Sequence, residues 1–198
     1  MSKGRLIGSK NNFLPPAIYL AFKNVSVFIF GILLTLVSII LFVSIITHSP
    51  LDPSLNFLGE NTLNNLIGSF GAIFSDLALQ FVGISIIVPI LNLFAWGIRF
   101  VLIKKINMFF YRFALVPIST IALAAGLSAF KQPENWSLFS GLGGFVGTFV
   151  FDQFLNILNA VENPLVRDFS VAGFLLFGLL IFLWTWTIPI RVYSYLLE

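Results

Sequence analysis

Residues 25–47 read VSVFIFGILLTLVSIILFVSIIT, 23 positions without a charged side chain. A helix of about 20 apolar residues, rising 1.5 Å per residue, crosses the ~30 Å hydrocarbon core of a bilayer. Basic residues precede the stretch, as they would precede a cleavable leader. Its length exceeds the roughly 7–15 residues of a leader's apolar region, however, and no small-x-small cleavage pattern stands before His48. The stretch therefore reads as a retained span. Three more follow: about Leu77 to Ile98, Phe113 to Phe130, and Phe169 to Ile190.

The remaining composition agrees. The chain of 198 residues is 58% hydrophobic and 10% charged, with a mean hydropathy of +0.99. A soluble domain carries roughly 25% charged residues, enough to build a water-facing surface, and this chain cannot. The net charge of +3 sits in short stretches between apolar runs, where it sets topology rather than forming a nucleic-acid-binding face. The absence of cysteine excludes disulfides, thiolate nucleophiles and Cys-ligated metals.

Orientation follows from the loops. Lys3, Arg5, Lys10 and Lys23 precede the first span, and Arg99, Lys104, Lys105 and Arg112 lie between the second and third, with no acid in either group. Asp52, Glu60 and Asp76 occupy the segment after the first span, and Glu134, Asp152, Glu162 and Asp168 outnumber Lys131 and Arg167 after the third. Positive short loops face the cytoplasm, which places both termini inside. The expected organisation is a cytoplasmic segment 1–23, a four-span membrane domain 24–190, and the start of a cytoplasmic extension 191–198.

The two outer segments are not plain polar loops. NTLNNLIGSFGAIFSD, residues 61–76, and LFSGLGGFVGTFVFDQFLNIL, residues 138–158, are apolar and glycine-bearing but interrupted. Both read as short helices lying at the outer interface or dipping partly into it. A fifth span made from the second would put Asp152 in hydrocarbon and reverse the C-terminus. Gly68, Gly71 and Asp76 recur as Gly144, Gly147 and Asp152, each shifted by 76 positions, which points to a parallel repeat of two hairpins.

The small residues Gly68, Gly71, Ala72, Gly143, Gly144 and Gly147 are candidates for close helix packing, within one chain or between chains, with turn formation as the plainer alternative. His48, Asp52, Asp76 and Asp152 are candidate interfacial polar residues. Asp76 and Asp152 stand nearest to membrane depth, and a transporter or channel subunit would use them as cation or proton sites. One histidine without cysteine makes no metal site. Pro89, Pro117 and Pro189 lie in or at the ends of spans, and Trp96, Trp136, Trp184, Trp186, Tyr111, Tyr193 and Tyr195 cluster at span ends as an aromatic belt. No G-x-x-x-x-G-K-[ST], G-x-G-x-x-G or H-E-x-x-H motif appears, so no cofactor is expected and the chain is not an enzyme by itself.

His48–Ser54, HSPLDPS, resembles the start of the first periplasmic loop of FtsK/SpoIIIE-family DNA translocases, with Pro50, Asp52, Pro53 and Ser54 matching. Asn65–Asp76, NLIGSFGAIFSD, is similar to the family's approach to its second span, and Gly83 and Pro89 also fit. Ser140–Leu155, SGLGGFVGTFVFDQFL, resembles the glycine-rich stretch before its last span. The resemblance covers roughly residues 20–190, although Asn159–Asp168 is longer and more polar than the family pattern suggests. It implies the N-terminal membrane domain that anchors a hexameric ATPase motor pumping chromosomal DNA at the division septum. Implied with it are an inner-membrane location, homo-oligomerisation, contact with division-site proteins and lipid, and no direct nucleic-acid binding by this segment. The motor and its DNA-reading domain are not among these residues, so the chain is expected to be either a segment cut after the fourth span or a stand-alone homologue.

Overall fold

Two prolines set the start of the first helix, since proline at the first helical position forfeits no hydrogen bond. In the computed structural model, which describes residues 15–55, 63–133, 140–158 and 163–186, α1 runs from Pro16 to Ile46 behind Pro15. It begins ahead of Val25 because Ala17–Phe22 is apolar, with only Lys23 and Asn24 between that run and Val25. The hydroxyls of Thr35, Ser38 and Ser44 bond back to their own helix, Thr35 to the Gly31 carbonyl at 2.9 Å and Ser44 to that of Ile40 at 2.8 Å. They therefore carry no unmet hydrogen bond into lipid.

After α1 come α2 (Ser69–Val82), a 3₁₀ turn (Gly83–Ile86), α3 (Ile87–Ile103), α4 (Phe109–Ser128), α5 (Gly144–Ile157) and α6 (Pro164–Thr185). The described residues contain no strand. Among the described residues four helical stretches are long and apolar enough to cross a membrane: Ala17–Ile46, Ser69–Ile103, Phe109–Ser128 and Pro164–Thr185. The 14 residues of α5 reach only about 21 Å, too short to cross.

The expected boundary between the first outer segment and the second span, at residues 76 and 77, falls inside α2. The chain breaks instead at Gly83, whose φ of 61° and ψ of −148° belong to a region essentially reserved for glycine. Pro89 is then the third residue of α3, in the first turn where its missing N–H costs nothing. The fourth span begins at Pro164 rather than Phe169, because the Asn163 side chain accepts from Leu165 N at 3.1 Å and Val166 N at 3.4 Å. This N-cap fixes the helix start despite Arg167 and Asp168 in its first turns. Trp136, Pro189, Tyr193, Tyr195 and the extension 191–198 lie outside the described residues.

Packing divides the spans into two antiparallel pairs, α1 with α3 and α4 with α6. The first pair meets backbone to backbone. A Cβ on Gly31 would lie 2.8 Å from both the Gly97 oxygen and the Val101 nitrogen, and one on Gly97 would lie 2.7 Å from the Thr35 nitrogen. In the second pair the Ser119 hydroxyl donates to the Gly178 carbonyl at 2.7 Å, and Leu175 and Leu123 close over Gly126 and Gly178. Trp96 ties the pairs together at one end, packing with Ile106 and Val116 and donating Nε1–H to the Thr185 carbonyl at 3.2 Å.

At the other end lie α2 and α5. Were α2 to continue α3 straight, the 35 residues Ser69–Ile103 would extend about 52 Å. Ser75, in the middle of α2, nevertheless bonds His48 just beyond α1. The helix has therefore turned at Gly83 to run across the bundle, from α1 towards α5. The two halves share one plan: long helix, 14-residue helix, long helix. The corresponding glycines Gly68 and Gly144 have φ of 75° and 67°. The outward faces of α1 and α6 expose a succession of Leu, Ile and Phe, the surface a lipid environment covers.

Candidate functional site

The end of the bundle at α2 holds a buried polar cluster, and Asp52 organises it. Its side chain, 3% exposed, accepts from Asn64 N at 2.7 Å and Asn64 Nδ2 at 3.2 Å through one oxygen. Its second oxygen accepts from Asn65 N at 2.8 Å. Asn65 in turn donates Nδ2–H to the Ser44 carbonyl at 2.9 Å and the Thr47 carbonyl at 3.3 Å, while its own oxygen accepts from Ile67 N at 3.1 Å. The last carbonyls of α1, which no helical N–H can reach, are thus met by the loop that follows. The Thr47 hydroxyl accepts from Leu66 N at 3.3 Å.

His48 and Asp76 belong to the same neighbourhood. The Nδ1 of His48 lies 3.0 Å from the Ser75 hydroxyl, and Gln80 donates to one oxygen of Asp76 at 2.7 Å. His48 Nε2 and the second oxygen of Asp76 are buried without a hydrogen-bond partner. Burial pushes the imidazole below its ordinary value, and the carboxylates of Asp76 and Asp52, which favour the charged ring, offset this only in part. The structure thus brings His48, Asp52 and Asp76 together. Asp152 is not among them: it is exposed on α5.

The candidate small residues separate by role. Gly143 and Gly147 lie against α4 of the same chain. A Cβ on Gly143 would strike the Ala124 carbonyl oxygen and come within 2.8 Å of Ser128 N, and one on Gly147 would lie 2.5 Å from the Ala124 carbonyl carbon. Gly144 touches the Gly83 turn, where a Cβ would lie 2.5 Å from Gly83 N. Across this junction Ile84 N donates to the Leu142 carbonyl at 2.9 Å. An N–H freed by the break in the second span is thereby satisfied from the other half of the chain, as non-helical backbone at a membrane requires. Gly71 packs under Asn65 and Ile67, Ala72 is buried, and a Cβ on Gly68 would meet nothing within 4 Å.

At the opposite end gather Lys23, Arg99, Lys104, Lys105 and Arg112, a consequence of the antiparallel pairing of α1 with α3. Arg99 and Arg112 fasten the α3–α4 turn, donating Nε–H to the carbonyls of Lys105 at 3.2 Å and Asn107 at 3.1 Å. Arg112 also bonds the Trp184 carbonyl and lies 4.5 Å over the Trp184 ring, clasping α4 to the end of α6. Arg112→Gln is expected to lower stability by about 1 kcal/mol, the worth of one partly exposed cation–π contact with its bond to a helix end. Thermal unfolding in detergent, followed by tryptophan fluorescence, reads it; an unchanged midpoint would show that the clasp is idle.

Residues that sequence reasoning passed over include Gly31, Gly97, Asn64, Asn65 and Ser75. Gly31 carried a readable signal, for Gly31-x-x-x-Thr35 is itself a small-x-x-x-small pair. Gly97 has no such partner in its own helix. Among the described residues no group of three His, Cys, Asp or Glu is placed to hold a metal ion.

Comparison with known proteins places this architecture. Residues 28–182 match the family described as the 4TM region of DNA translocase FtsK/SpoIIIE. A protein named DNA translocase FtsK from Agrobacterium fabrum is 36% identical over 104 residues, 52% of this chain and 12% of that protein. Its namesake in Caulobacter vibrioides is 27% identical over 75% of this chain and 18% of its own length. That of Azospirillum brasilense is 30% identical over 77% and 24%. The chain thus spans less than a quarter of the length of these relatives. No solved structure matches.

Proposed function

The chain belongs to the 4TM region of the DNA translocase FtsK/SpoIIIE family, and from that premise we propose that it is the inner-membrane anchor of a DNA translocase acting in cell division and chromosome segregation. The single observation that carries this reading is the family match across all four membrane-length helices. A second feature supports it: Lys23, Arg99, Lys104, Lys105 and Arg112 share one end of the bundle, opposite Asp52 and Asp76. Under the positive-inside rule the basic end is cytoplasmic, with both termini, which is where an ATP-driven motor must work on DNA.

The anchor's contribution is positional. Tethering motor subunits to one membrane patch raises their effective concentration for ring assembly, up to a hexamer, and holds them beside division-site proteins. Among the described residues the cations stand near the ends of the membrane-length helices, which supports a segment that positions a motor and does not itself contact DNA. A flux path through Asp76 and Asp152 gains no support from the geometry, since one is buried against Gln80 and the other is exposed on α5.

The test is a fluorescent protein fused after Glu198 and imaged in dividing cells, with an alkaline phosphatase fusion at the same site as topology control. A bright septal band with an inactive phosphatase is the expected result. Fluorescence spread evenly around the envelope, or an active phosphatase, would overturn the reading.

A further inference from the structure

The bond between His48 and Ser75 has a definite polarity. Ser75 spends its one hydroxyl hydrogen on the Ala72 carbonyl at 3.1 Å, so towards His48 its oxygen accepts, and the proton of the 3.0 Å bond sits on Nδ1. Nε2 is then the bare nitrogen, and it is buried with no partner. This bond joins the residue just beyond α1 to the middle of α2, the helix that the Gly83 turn lays across the bundle.

We propose that His48 is a proton-operated latch: the neutral ring seats α2 against the end of α1, and a proton taken from water onto Nε2 releases it. An imidazolium needs an acceptor on each nitrogen. The seated geometry provides one for Nδ1 and none for Nε2, whereas water supplies both once the ring swings out. The seated state thus binds fewer protons than the released state, and acid shifts the population towards release. The charged groups facing the ring are Asp52, in the loop after α1, and Asp76, on α2 beside Ser75. Both favour the imidazolium, yet neither bonds it, and burial outweighs them, holding the imidazole below its ordinary value. If the basic end is cytoplasmic, the latch faces the compartment whose pH follows the medium.

The sign follows from linkage. The released ring titrates near the usual value of about 6.5 and the seated ring below it. Seating is therefore complete above about pH 6.5 and is lost as pH falls towards the seated value. One proton can raise the open population by up to about tenfold between pH 7.5 and 5.5, provided the seated ring titrates below that window.

His48 is the sole histidine, so the full chain in lipid nanodiscs, with ring-labelled histidine, gives one unambiguous NMR titration. A midpoint clearly below about 6.5 is expected, and a midpoint at or above it would overturn the proposal. Amide exchange over residues 69–82, corrected for the intrinsic chemical rate, should quicken by up to about tenfold on acidification over that window. In His48→Gln, which cannot titrate, this pH dependence should vanish. Protection that rises with acid, meaning a charged His48 pairing with Asp76, would refute release, as would an unaltered pH profile in His48→Gln.

Discussion

Gly83→Ala is expected to destabilise the fold by about 3–5 kcal/mol, the sum of a backbone forced into a disfavoured region and of a methyl driven into a packed junction. The φ of 61° with ψ of −148° excludes side chains whatever the space around them, and here there is none. A Cβ would strike the Leu142 carbonyl oxygen and lie 2.6 Å from its carbon and 2.7 Å from Gly144 N. All three are backbone atoms, which cannot rotate aside as a side chain can. Relief requires the Ile84 N–H to leave the Leu142 carbonyl, exposing a polar group where α2, α4 and α5 converge. Unfolding of the purified protein in detergent should show the loss, and pulse proteolysis should show cleavage near residues 140–143 before the spans give way. A Gly83→Ala protein as stable as wild type would mean that the turn is not formed as described.

The legibility of this molecule divides along that junction. Four spans and the segregation of positive charge could be read directly, because each rests on a property of a contiguous stretch: apolar length or local sign of charge. The short helices of the outer segments were also readable, since glycine and asparagine interrupt the apolar runs around Asn64 and Gly141. What could not be read was where α2 ends. Leu77–Val82 is as apolar as the span it precedes, and no hydropathy window distinguishes a helix that continues from one that turns. Gly83 marks the turn, but its meaning depends on Leu142, far away in the sequence and in the other half of the chain.

The glycines teach the same point. Gly143 and Gly147 have the spacing of a packing pair and lie against Ala124. Gly68, with similar spacing to Ala72, faces open space and has the positive φ of a turn. Spacing alone does not separate the two cases, because both exploit the missing Cβ: one for approach, one for conformation. Gly97 works through a partner on another helix, Gly31, and such pairs have no period in one sequence.

Asp52→Ala is the second large effect, with an expected loss of about 3 kcal/mol, since the charge-assisted bonds it removes are each worth about 1.5–3 kcal/mol and are not additive. The substitution strands the amides of Asn64 and Asn65 and the Asn64 side chain, all of which point at the carboxylate. The damage spreads, because Asn65, held by Asp52, is what meets the Ser44 and Thr47 carbonyls at the end of α1. Without it those carbonyls face the boundary of an apolar bundle unsatisfied, and the loop that seats α2 loses its anchor. Asp52→Asn should fall between, keeping one acceptor oxygen but turning an NH₂ towards donors. Chemical unfolding of both variants beside Asn64→Ala and the double mutant would separate side chain from backbone: Asp52→Ala should cost only slightly less once the Asn64 side chain is gone, because the two backbone amides still point at the carboxylate. If Asp52→Ala lies within about 0.5 kcal/mol of wild type, the range of an ordinary surface substitution, the carboxylate does not organise this end of the bundle.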